Sequence, residues 1–97
     1  MANVRVTLDS GSKTIDVDDK RVKVSVSGKT KVLWSCHEGD FQIKFKPGSV
    51  WPNPVTTGTG GVWKAESGPF ENPGTTLEYA VTSTGYTTLD PEIVIDR

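Results

Sequence analysis

Apolar and polar residues alternate along most of this chain. Val4, Val6 and Leu8 alternate with Arg5 and Thr7, and Ile15 and Val17 with Asp16 and Asp18. Val22, Val24 and Val26 are separated by Lys23 and Ser25, and Val32 and Trp34 continue the pattern. Phe41, Ile43 and Phe45 enclose Gln42 and Lys44. Leu77, Tyr79 and Val81 enclose Glu78 and Ala80, and Ile93 and Ile95 bracket Val94. A period of two puts one set of side chains on one face, where a second sheet can cover them. The β-branched and aromatic residues suit strands. No apolar series recurs at three and four spacing. The chain is therefore predicted to be an all-β, two-sheet Greek-key β-sandwich of about seven or eight strands. Little or no helix is expected, at most one short turn within 61–67.

Turn signals separate these runs: Asp9-Ser10-Gly11-Ser12, Asp18-Asp19-Lys20, Glu38-Gly39-Asp40 and Ser83-Thr84-Gly85. Ser27-Gly28-Lys29 reads as a compact hairpin. Residues 47–75 differ, holding Pro47, Pro52, Pro54, Pro69 and Pro73 with little alternation. A long loop of this kind tends to be functional or partly disordered. It reads as an excursion inside one domain spanning 1–97, because strands on both sides are needed to complete the core.

With 97 residues and 34% hydrophobic content, one thin core is expected. The net charge of −1 offers no field for nucleic acid or an anionic membrane, so neither is expected as a partner. Residues 1–50 carry nine Lys and Arg against six Asp and Glu, and residues 51–97 carry two against six. A solvated surface accounts for this, although +3 facing −4 would also suit head-to-tail self-association. Cys36 is the sole cysteine, so no internal disulfide forms. That, with no signal-type apolar stretch at the N-terminus, slightly favours the cytoplasm. A leader already removed would leave the same sequence.

Most apparent chemical motifs fail on their own requirements. Gly28-Lys29-Thr30 ends like a phosphate loop, but Lys23 stands where the first glycine belongs and a strand follows. Gly58-Thr59-Gly60-Gly61 lacks the third glycine of a dinucleotide fingerprint, since position 63 is Trp. Asp16, Asp18 and Asp19 continue as Lys20 and Arg21 rather than as a calcium loop. Cys36-His37 joins the only thiol to the only imidazole. Adjacent strand residues point to opposite faces, so a buried Cys36 beside a turn His37 is the simpler reading. No cofactor is expected, and the chain is expected not to be an enzyme.

Trp34, Phe41, Phe45 and Tyr79 lie in phase with strand cores. Trp51, Trp63, Phe70 and Tyr86 lie in or near loops, where they form either a lid over a thin sandwich or a contact surface. As a contact surface they are the candidate binding residues.

Tyr79-Ala80-Val81, a glycine turn and Asp90-Pro91-Glu92-Ile93-Val94-Ile95 resemble the last two strands of a cupredoxin-type sandwich. Val32-x-Trp34 followed by Phe41-x-Ile43-x-Phe45 resembles its middle hairpin. The chain is thus similar, over about 20–97, to small cupredoxin-like (immunoglobulin-like) bacterial β-sandwich domains. Copper proteins of that fold carry a His upstream, then Cys, His and Met in the loop before the last strand. Here that loop is Ser83–Asp90 and holds none of the three. Cys36 and His37 read as lying on the wrong hairpin. The resemblance implies the fold without the electron-transfer site.

The leading expectation is a non-catalytic binding or interaction module that uses the 47–75 loop. Its partner would be an unidentified protein, a small ligand or a second copy. The alternatives are a metal-binding or thiol protein using Cys36 and His37, and a structural component of a larger assembly.

Overall fold

In the computed structural model, which describes residues 1–46 and 53–97, the alternation becomes two facing sheets. The strands are Ala2–Asp9 (β1), Thr14–Val17 (β2), Arg21–Ser25 (β3), Val32–Cys36 (β4), Gln42–Phe45 (β5), Thr57–Thr59 (β6), Val62–Ser67 (β7), Thr75–Thr82 (β8) and Glu92–Asp96 (β9). One sheet has the order β2-β1-β4-β7-β6 and the other β3-β9-β8-β5. Two of the pairings, β1 with β4 and β3 with β9, are parallel. No helix occurs among the described residues.

The all-β sandwich is as the alternation predicts, with four corrections. The described residues form nine strands, because β6 and β7 arise inside the supposed irregular excursion. Residues 62–67 pair with β4 as a strand, where a helical turn was allowed for. Val32–Cys36 and Gln42–Phe45 do not form a hairpin, since β4 and β5 belong to different sheets and 37–41 is a corner between them. Ser27-Gly28-Lys29 likewise joins β3 to β4 across the sheets, and the left-handed residue there is Lys29, at φ 51°. Alternation reports a strand's buried face but not its neighbour, and turn residues serve corners as well as hairpins.

Facing side chains fill the space between the sheets. Val4 and Val6, Ile15 and Val17, Val22 and Val24, Ile43, Val81, Ile93 and Ile95 are all buried. At the centre Trp34 of β4 meets Tyr79 of β8, ring centroids 5.3 Å apart and planes at 65°. The Trp34 indole N–H donates to the Tyr79 hydroxyl at 3.1 Å. This bond crosses the sandwich and gives two buried polar atoms a partner, as burial requires.

Burial also pushes the Tyr79 hydroxyl pKa up to about 12, with the Trp34 bond acting in the opposite direction. The folded value lies above the ordinary value near 10. Above about pH 10 the unfolded chain gives up this proton while the folded one keeps it, so stability falls between about pH 10 and 12. The loss should approach roughly 2–3 kcal/mol. Urea midpoints measured from pH 8 to 12 should fall more steeply for the parent than for Tyr79→Phe. Parallel curves would show that the hydroxyl titrates in contact with water.

The charge asymmetry is taken up within the fold. Arg21 pairs with Glu92 at 3.3 Å, Lys31 with Glu66 at 3.6 Å and Lys46 with Asp90 at 2.7 Å, each joining a cation of the first half to an anion of the second. These surface pairs set local geometry more than stability.

Candidate interaction surface

The predicted contact residues separate in three dimensions. Trp51 lies outside the described residues. Phe70 is 2% exposed and sits in the core, so it offers no contact surface. Tyr86 is half-buried in the β8–β9 connection, with the Lys13 ammonium 5.5 Å from its ring centroid. Trp63 is half-buried on β7, packed against the core and opposite Cys36 of β4.

Tyr86 lines a cleft of about 260 Å³ where the β4–β5 corner meets the β8–β9 connection. The Ser83 hydroxyl donates to the Asp40 carbonyl at 2.8 Å and closes that contact. The cleft presents Glu38, Asp40, Gln42 and Ser83. Glu38 is already engaged, accepting the Leu8 N–H at 3.2 Å and lying 4.0 Å from Arg5. Cys36 is fully buried, its sulfur 3.9 Å from the Glu38 carboxylate, whereas His37 is exposed. Among the described residues no three His, Cys, Asp or Glu side chains converge as metal ligands would. Two aspartates of the Asp16–Asp19 run bind backbone instead: Asp18 accepts the Arg5 N–H at 2.9 Å and Asp19 the Arg21 N–H at 3.1 Å.

Trp63 belongs to a different surface. Gly60 and Gly61, at φ 62° and 80°, make the two-residue turn that joins β6 to β7. Positive φ at both positions matches the twist of a tight hairpin. Gly58 pairs with Trp63, and a Cβ on Gly58 would stand 2.8 Å from the indole nitrogen. The absent side chain thus lets the indole lie across the β6 backbone toward the sheet edge. Among the described residues the Trp63 indole N–H has no hydrogen-bond partner, and it is not buried. Nearby Val55 is 79% exposed and lines, with Leu33, Thr57 and Lys64, a shallow depression of about 350 Å³.

The β6 edge contrasts with the other sheet edges. The β2 edge carries Asp16, and the β3 edge carries Arg21 and Lys23. The β5 edge is covered, because Asn53 accepts the Phe45 N–H at 2.6 Å and the Thr56 hydroxyl donates to the Phe41 carbonyl. Thr57, Gly58 and Thr59 are all exposed and uncharged. No Asp, Glu, Lys, Arg or His occurs from 47 to 63, seventeen residues in a chain that is 24% charged. Proteins ordinarily block exposed strand edges with charge, proline or a covering segment. This absence of charge is readable in the sequence, but only the pairing of β6 shows that it falls on a sheet edge.

No protein-family model matches the chain, and no curated protein matches it in sequence. Among solved structures it is similar to a chain of a heme-copper terminal oxidase dimer determined by cryo-EM, with a TM-score of 0.52 and 16% identity. The match covers 97% of this chain and 63% of that one, so this chain spans less than two thirds of its structural relative. At this identity the likeness concerns the fold alone: a small all-β sandwich of two sheets.

Proposed function

We propose that the chain is a non-catalytic interaction module on a cupredoxin-like scaffold, with its contact surface at the outer edge of β6, the last described strand of its sheet. The observation that carries this reading is an uncharged strand edge that no described strand covers, beside a half-buried tryptophan. Tryptophan is enriched where protein surfaces bind, since it adds apolar area and one donor at low entropic cost. The parallel β1–β4 and β3–β9 pairs support the scaffold assignment, as does the corner beside the β8–β9 connection.

Copper does not fit this scaffold. A blue-copper site needs two His, a Cys and usually an axial Met. Ser83–Asp90 supplies none of them, Cys36 faces the core and His37 is the only imidazole. No redox step is therefore assigned.

The test is site-resolved cross-linking in the cells that make the protein. A photoreactive benzoylphenylalanine replaces Thr59 in one sample and Lys23, on the charged β3 edge, in another. Adducts are expected from position 59 and not from position 23. No adduct at 59, or equal adducts at both, would overturn the assignment of the surface.

A further inference from the structure

We infer that the β6 edge pairs with β6 of a second copy, antiparallel about a two-fold axis through Gly58, joining two five-stranded sheets into one. This rests on the interaction-module reading above and names its partner. The first support is the hydrogen-bond pattern. Thr59 and Val62 flank a two-residue turn, so their main-chain groups bond to each other. The alternation then turns the N–H and C=O of Gly58 away from β7, toward the side that no described strand occupies. In an antiparallel pair centred on Gly58, each copy's N–H donates to the other's carbonyl, and all four groups are satisfied.

The second support is local symmetry. Thr57-Gly58-Thr59 reads the same in both directions. A two-fold axis at Gly58 sets Thr57 of one copy opposite Thr59 of the other, a favourable cross-strand pair. A closed two-fold dimer needs a self-complementary patch of this kind. Two glycines at the axis also leave the inner face clear, so each Trp63 indole reaches the seam over its own Gly58.

The third support is charge. Thr57 pairs with Lys64 one strand inward, so the first charged column of each copy lies on β7. Two such columns are separated by three strand spacings of about 4.8 Å, or roughly 14 Å. That exceeds the screening length of about 8 Å at physiological salt, so the copies meet without like-charge repulsion. Any of the other sheet edges, paired with itself, would bring Asp16, Lys23 or Lys44 together or displace the bonds from Asn53 and Thr56.

An edge of three residues makes a weak, concentration-dependent dimer. Light scattering on the purified chain should show the mass rising from 10.5 kDa toward twice that value. The rise is expected between about 10 µM and 1 mM, the range of a small transient interface. The Gly58 amide should become protected from hydrogen exchange over the same range. Thr59→Lys should raise the midpoint at least tenfold, whereas Thr59→Val should leave it within about threefold. Because Thr59 is exposed, both variants should match the parent's thermal midpoint in dilute solution. A mass of one chain at 1 mM overturns the inference. So does a dimer in which Gly58 stays unprotected, or one that Thr59→Lys leaves intact. Adducts at position 59 to a different protein, with the purified chain monomeric, would overturn self-pairing and keep the interaction-module reading. No adduct at 59 would remove both.

Discussion

Trp34→Ala is expected to lower stability by about 3–5 kcal/mol, the usual cost of emptying a buried aromatic site. Trp34 is fully buried at the middle of β4, between β1 and β7 in its own sheet and against Tyr79 of the other. Three separate losses combine. Removing the indole withdraws a large apolar side chain from the core, at about 25 cal/mol per Å². Rigid strands on both sides hold the cavity open, so relaxation recovers little. The Tyr79 hydroxyl also loses its donor, which adds the desolvation cost of a buried polar atom, about 1–3 kcal/mol when left unmet. A domain of this size has about 5–15 kcal/mol in total, so much of the reserve would be gone. Urea unfolding followed by circular dichroism measures the change. Trp34→Phe keeps most of the volume and loses only the donor, so it should fall well short of the alanine variant. A loss under about 1.5 kcal/mol for Trp34→Ala would show that the two sheets close over the gap.

Gly68→Ala is the second large effect, expected at about 2–6 kcal/mol. Gly68 follows β7 at φ 119°, a conformation open to glycine and strained for any residue with a Cβ. That strain accounts for about 1–3 kcal/mol. Space makes the position stricter still. A methyl group there would stand 3.0 Å from the Lys31 Cα, 3.1 Å from the Phe70 ring and 3.2 Å from the Thr30 carbonyl oxygen. Two of these neighbours are backbone at the entrance to β4, so the clash displaces a central strand rather than a side-chain tip. Overpacking of this kind costs about 1–3 kcal/mol more. Gly74, at φ 88° with nothing within 4 Å of its would-be Cβ, is the control. Gly74→Ala meets the conformational strain alone and should cost less. Equal losses for the two would show that the close approach of Lys31 adds nothing.

Both predictions concern features that differ in how far the amino-acid sequence foretells them. Trp34 and Tyr79 could be placed in the core from their phase within alternating runs. Their mutual contact could not, because period-two patterning specifies a face and not the residue across from it. Gly68 showed only as one glycine among several in a Pro- and Gly-rich stretch. Its role depends on the backbone of Thr30 and Lys31, more than thirty residues earlier.

The candidate surface divides in the same way. In sequence, Trp63 and Phe70 are both aromatics of an irregular region. One lies half-buried beside the edge strand β6 and the other in the core. Nothing local separates them. Trp63 is held by pairing with Cys36 and Gly58, contacts from two neighbouring strands. The β6–β7 hairpin leaves little trace in the sequence because its inward positions are Gly58, Trp63 and Ala65, a poor alternation in which Trp34 fills the space opposite Ala65.

Residue order alone specifies the class of the fold and the faces of its regular strands. It likewise specifies that Ser83–Asp90 lacks thiol, imidazole and thioether, because these follow from residue identity and local spacing. The meeting of the two sheets makes 37–41 a corner rather than a hairpin turn, and puts the end of the uncharged stretch on the last described strand of its sheet. Strand partners are chosen by whole-face burial and chain closure, which are long-range quantities. They are settled when two sheets meet, as at Trp34 and Tyr79.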